Sequence, residues 1–286
     1  MEKQRARLEW LKEGDRNTSF FQAKAKERAR SNRITSLMRE DGVTVTEQAE
    51  LKDVAKAFYT NLFTAQDVLE LEGILQHVPV KVTDEMKASM NMPFTEKEVE
   101  RALFMMGASK APGSDGFTAG FYPLHWDILG PSIARAVLDF LNGGIMPDGV
   151  NRTTICLIPK VKGPQEMKQF RPISLCNVIY KICSKVLANW IRPFLDDIVS
   201  KEQNAFVPGR LIMDNVLIAY ECTHYLTRKK GKAGACAIKL DMTKAYDHVE
   251  WAYLRRIKDY ATAGLTGIVH LTNYEVCDIG FLFSSN

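Results

Sequence analysis

The spacing of apolar residues divides the chain into helical and extended stretches. Leu51, Val54, Ala55, Phe58 and Leu62 recur at three- and four-residue steps and predict a helix from about 47 to 62. Ahead of it, residues 1–39 carry Leu8 and Leu11 on one side, with Trp10, Phe20 and Phe21 interleaved among cations, and lack proline. They read as helical, closed by an Asp41-Gly42 turn. Thr95 and Glu98 form a capping box before Val99, Ala102, Leu103 and Met106, so a third helix should end near Gly107. A loop, Ser109-Lys-Ala-Pro-Gly-Ser-Asp-Gly-Phe117, follows. Ile133, Val137, Leu138 and Leu141 then share one helical face, stopped by Gly143-Gly144.

Beyond Gly144 the period changes. Residues 152–160 are a short β-rich run closed by Pro159, residues 161–169 form a polar connection suited to a hairpin, and Phe170 to Ser174 resumes an extended segment. From Asn177, a good N-cap, the positions Ile179, Ile182, Val186, Trp190 and Phe194 trace one helical stripe. Another helix fits Asn215 to Arg228, and a glycine-containing turn at 231–234 leads into Ala235-Cys-Ala-Ile-Lys-Leu-Asp241, a buried strand ending on a carboxylate. Strand, hairpin, strand, helix gives an α/β (α+β) class.

Composition narrows the setting. With 286 residues and 46% hydrophobic content the chain can bury one sizeable core, and its length allows one or two domains. No apolar stretch approaches the roughly 20 residues a spanning helix needs, and no apolar run follows the basic opening residues. The expectation is an intracellular protein, nuclear or cytoplasmic, neither secreted nor membrane-bound. The six cysteines form no CxxC pair and have no histidines at ligand spacing, so they read as free thiols. Net charge is only +4, but residues 1–39 hold eleven Lys or Arg against five Asp or Glu, so the rest of the chain is slightly acidic. Such clustering suits contact with phosphates or simply a solvated helix face.

Candidate chemistry centres on Asp241, because α/β architectures place ligands and metals at the ends of buried strands. Nearby Asp247 and Glu250 stand at capping-box spacing, so Asp247 reads as a helix cap. The glycines of 109–117 form no Walker-type phosphate loop, since Gly113 is followed by Ser114 and Asp115 instead of Lys and Ser or Thr.

Five blocks in order, SKAPGSDGF (109–117), LIPK (157–160), FRPISLCNVIYKICSKVLANWI (170–191), QNAFVPGR (203–210) and LDMTKAYD (240–247), resemble the LINE-type (non-LTR retrotransposon) reverse transcriptases, particularly plant members. The segment WLKEGDRNTSFF (10–21) resembles the link between endonuclease and polymerase in such elements, and the likeness covers roughly residues 5–257. The resemblance implies the fingers and partial palm of a right-hand polymerase, preceded by a helical basic segment. It divides the chain into a basic helical linker at 1–90, fingers and the start of the palm at 91–257, and a divergent tail at 258–286. It makes Asp241 one of the catalytic, metal-binding palm carboxylates, with the Met242 carbonyl beside it, for the two Mg²⁺ ions expected in intact relatives and held only incompletely here. Tyr246 resembles the steric gate against a ribose 2′-hydroxyl, Lys160 and Arg171 the cations that grip the incoming deoxynucleoside triphosphate, and Arg210 a contact to template or primer backbone. RNA template and DNA primer are the implied partners.

Two departures qualify this expectation. The family's second carboxylate pair, Ala-Asp-Asp after an aromatic, does not occur after Asp241; Asp196-Asp197 precedes it and matches the connector into QNAFVPGR. The chain therefore reads as truncated after the first palm motif, with negligible polymerase activity. After Lys258 no Lys or Arg occurs, which suggests a frameshifted or alternatively spliced tail whose apolar run 279–283 is poorly packed and aggregation-prone. A non-catalytic module binding RNA or RNA–DNA hybrid, or a degenerate product without function, are the competing readings.

Overall fold

The computed structural model describes residues 19–64, 73, 77, 79–143, 146–229, 236–238, 250, 252–253 and 279–282. Two compact units emerge, Met1–Asn61 with Thr153–Leu175 and Asp278–Asn286, and Leu62–Arg152 with Cys176–Cys277.

In the first unit, helix α1 (Ser19–Asn32) stops well before the expected end at 39, because Leu37–Met38 (β1) pairs antiparallel with Thr44–Val45 (β2). The Asp41-Gly42 turn drives this: Gly42 takes φ +84°, and the Asp41 side chain accepts the Val43 N–H at 3.0 Å. Such a turn folds the residues before it onto those after it, so Leu37 enters the core as a strand residue. Helix α2 (Gln48–Phe63) follows the predicted stripe, with Leu51, Ala55 and Tyr59 buried.

Strand β3 (Thr153–Pro159) alternates as a half-buried strand should, turning Thr153, Ile155 and Leu157 inward. It is central in a three-stranded sheet, flanked by β4 (Phe170–Cys176) and β5 (Ile279–Leu282). β5 runs parallel to β3, Thr153 opposite Ile279 and Cys156 opposite Leu282. Residues 279–282, read in sequence as an ill-packed apolar run, thus have a backbone partner along one edge of β3.

The second unit is helical. Helix α3 (Asp84–Met90), capped by the Thr83 hydroxyl on Met86 N–H, is too short for periodicity to reveal. Helices α4 (Glu96–Phe104), α5 (Phe121–Leu124) and α6 (Trp126–Leu141) come next, then α7 (Val178–Ile191), α8 (Leu195–Ile198) and α9 (Ile212–Arg228). The predicted capping box at Thr95 and Glu98 is formed in full. The core joins Val99, Ala102 and Leu103 of α4 to Ile133, Val137 and Phe140 of α6 and to Val178, Ile182, Cys183 and Val186 of α7. Fully burying such side chains stabilises by about 1.5–3 kcal/mol each. A smaller cluster sets Val82 and Met90 against Trp190, Phe194 and Ile198.

Candidate functional site

The hairpin of β3 and β4 carries the two cations read as triphosphate ligands. Lys160 follows Pro159 at the end of β3, and Arg171 is the second residue of β4. The connection between them is built rather than loose. Lys160 N–H donates to the Gln169 carbonyl at 2.8 Å. The Gln169 side-chain oxygen accepts the N–H groups of Gln165 and Glu166 at 2.8 and 3.3 Å, while Met167 and Phe170 are buried. The Lys160 ammonium donates to the Lys168 carbonyl at 3.0 Å, and among the described residues its other two N–H donors have no acceptor. Arg171 is exposed, and among the described residues nothing engages its guanidinium. A rigid turn with a point charge on one side and a free fork on the other can hold a polyphosphate.

The loop 109–117 is latched within the second unit. The Asn177 side chain, expected to cap α7, bonds elsewhere: its oxygen accepts from Ser114 Oγ and Asp115 N, both at 3.4 Å, and its amide nitrogen donates to the Gly149 carbonyl at 3.2 Å. Lys181, one turn into α7, donates to the Ala111 carbonyl at 2.8 Å. A Cβ at position 113 would come within 2.5 Å of the Asn177 backbone nitrogen and 2.6 Å of the Cys176 carbonyl carbon, which explains the glycine there. Sequence reasoning read Asn177 only as a cap, since an asparagine ahead of a helix suits either task.

Arg210, read as a contact to nucleic-acid backbone, is engaged inside the protein. Its Nε and one terminal nitrogen bond Asp196 Oδ1 at 2.9 and 2.7 Å. The remaining N–H groups reach the carbonyls of Asp196, Val199, Ser200 and Gln203. With 10% of its side chain exposed, all five donors of the fork have acceptors on residues 196–203. Beside it Asn204 donates to Leu211 O and Asn215 Oδ1, and Asn215 donates to Glu202 O. These bonds form a polar clasp across 196–215. Asp196 is therefore a structural partner, and the Arg210 guanidinium, followed by Lys201, holds its carboxyl below the usual carboxylate range.

The residues read as palm chemistry, Asp241, Met242 and Tyr246, lie outside the described residues. Among the described residues no group of three or more His, Cys, Asp or Glu could hold a metal ion. No helix among them is long and apolar enough to cross a membrane. The Cys183 thiol, buried in the core, is pushed up to about 12 by desolvation and stays protonated.

Residues 158–275 match the family model described as reverse transcriptase (RNA-dependent DNA polymerase). That stretch contains Lys160, Arg171, Arg210, Asp241, Met242 and Tyr246, and takes in residues 258–275 of the tail set apart in sequence. Over 252 residues, 87% of its length, the chain is 33% identical to a Xenopus laevis protein described as the uncharacterized 149 kDa protein of transposon TX1. The chain spans 19% of that protein.

Proposed function

Because the chain belongs to the reverse transcriptases of the non-LTR retrotransposon kind, we propose that its β3–β4 hairpin is the fingers element gripping an incoming deoxynucleoside triphosphate over an RNA template. The observation that carries this reading is the locked connection between Lys160 and Arg171, which fixes two cations at the two ends of one turn. In it, Arg171 supplies a bidentate fork for two phosphate oxygens and Lys160 a point charge. Holding the triphosphate in this way offsets the loss of freedom that would otherwise slow attack by a primer hydroxyl.

Reverse transcriptases are metal-dependent polymerases. Asp241 and the Met242 carbonyl would form part of the Mg²⁺ site, and bound metal would supply activation of the primer 3′-hydroxyl and charge neutralisation on the departing pyrophosphate. Tyr246 packs against the sugar and disfavours a 2′-hydroxyl. RNA template, DNA primer and deoxynucleoside triphosphates are the partners and substrates.

The test is equilibrium binding of a labelled deoxynucleoside triphosphate to the full chain. Arg171→Ala should weaken binding by about tenfold or more, the loss of a charge-assisted hydrogen bond, and Lys160→Ala by less. Wild-type affinity in the double variant would remove the proposal.

A further inference from the structure

We infer that β1, which lies outside the stretch matched to the family, is a brace for the β3–β4 hairpin, and that Met38 and Gln169 are positioning residues for Lys160. This rests on the reading of that hairpin as the triphosphate grip. It starts from a backbone bond between parts of the chain far apart in sequence: Met38 N–H donates to the Gln165 carbonyl at 2.7 Å. Both residues belong to the same compact unit.

The register of β1 and β2 frees this donor. Leu37 stands opposite Val45 and Met38 opposite Thr44, and Arg39 N–H donates to the Val43 carbonyl at 2.9 Å. Antiparallel ladders alternate, so the N–H between two bonded positions points away from the partner strand. Met38 N–H therefore faces outward from β2, where the 161–169 connection accepts it. Leu37 and Val45 are buried, whereas Gln165 and Lys168 are exposed. The anchored side of the bond is thus β1, and the connection is the side that is steadied.

From Gln165 the restraint reaches Lys160 in two short steps. The Gln169 side-chain oxygen accepts the N–H groups of Gln165 and Glu166, and Gln169 N–H donates to the Glu166 carbonyl at 2.9 Å. The carbonyls of Gln169 and Lys168 then accept the backbone N–H and the ammonium of Lys160. Lys160 is held at its backbone and at its charged end by residues whose own place is set, through Gln169 and Gln165, by Met38. A lysine held in this way loses less rotamer freedom on meeting a phosphate, so its contribution to affinity depends on how firmly the turn is fixed.

The experiment is equilibrium binding of a labelled deoxynucleoside triphosphate to the full chain, with amide hydrogen exchange in parallel. Met38→Pro removes the donor outright. Proline suits an edge strand, and the extended conformation it imposes on the preceding residue is the one Leu37 already has. Met38→Leu keeps the N–H and is the control. Met38→Pro should weaken binding by about three- to tenfold, the loss of one hydrogen bond expressed as affinity. It should also speed exchange at the Lys160 amide, while the amide of Val186 in the α4–α6–α7 core exchanges as in the parent. Met38→Leu should match the parent in both.

Gln169→Ala breaks the same path from its other side, and decides the matter alone if Met38→Pro does not fold. It should lower affinity by a similar factor. Lys160→Ala added to it should weaken binding less than Lys160→Ala does in the parent, since groups that act through one another are not additive. Parent affinity in Gln169→Ala or in folded Met38→Pro, or full additivity of Gln169→Ala with Lys160→Ala, would overturn the inference. The underlying reading fails differently. Parent affinity in K160A/R171A removes the triphosphate grip itself, whereas weak binding there with parent affinity in Met38→Pro and Gln169→Ala removes the brace alone.

Discussion

Helices α7 and α9 are similar in length and both rich in apolar residues, yet they are held in different ways. Along α7, Val178, Ile182, Cys183, Val186 and Leu187 are buried against α4 and α6. Along α9 no residue is buried: Ile212, Met213, Val216, Leu217, Ile218, Tyr220 and Tyr225 are exposed, Leu217 by 57%. Among the described residues, what ties α9 is polar and lies at its N-terminal end, where Asn204, Asn215 and the neighbouring Arg210 cluster link it to residues 196–203. An apolar stripe anchors a helix only where the fold supplies a facing surface. A hydrogen-bonded clasp can place a helix without one.

The largest effect should separate the two helices directly. Ile182→Ala in α7 should cost about 2–5 kcal/mol in denaturant unfolding, whereas Leu217→Ala in α9 should fall within about 0.5 kcal/mol of the parent; equal costs would abolish the distinction. The clasp comes next. Arg210→Ala leaves the carbonyls of Val199 and Gln203 without their donor among the described residues and should cost about 1–3 kcal/mol. Arg210→Lys should recover only part of this, since an ammonium cannot reproduce the fork. Gly113→Ala forces a Cβ against backbone in the latch and should cost about 1–3 kcal/mol, read in the same unfolding experiment.

A smaller effect is set by pH. The folded-state pKa of Asp196 is depressed, so its contribution is fully present above the ordinary carboxylate pKa and is lost as pH falls through the lower folded value. The stability difference between parent and Asp196→Asn should therefore shrink only in acid, below about pH 4, and a difference that vanished near neutrality would contradict the clasp. Finally, thiol labelling at pH 8 should modify the exposed Cys222 of α9 quickly and leave Cys183 of α7 unreacted until the protein unfolds.

Much of the fold was readable where a local pattern and its tertiary use coincide. The stripe positions 51 and 55, the capping box at Thr95 and Glu98, and the strand–hairpin–strand order around 153–176 have causes written within a few neighbouring residues. The roles given to Lys160 and Arg171 came from the family resemblance and not from such a local pattern. The helix read through residue 39 failed because cation-rich sequence is compatible with helix up to the turn, and pairing with residues 44–45 decided the outcome. Arg210 and Asn177 show a common limit: Asn177 stands at the N-cap position of α7 as read, but its side chain, like that of Arg210, bonds elsewhere. Each carries a side chain suited to a local or external ligand, and each is claimed by partners that only the tertiary fold brings near.

The latch at Asn177 also carries a statement about folding order. Its bonds reach Gly149, Ser114 and, through Lys181, Ala111, which lie 28, 63 and 70 residues away along the chain. Closing spans of that size has an entropic cost that local helix formation does not. The latch should therefore engage after the α4–α6–α7 core has condensed, on the native side of the folding barrier. Loosening it at Gly113 or Asn177 should leave the folding rate nearly unchanged and speed unfolding, so the loop 109–117 would open more often in molecules that still fold as fast as before.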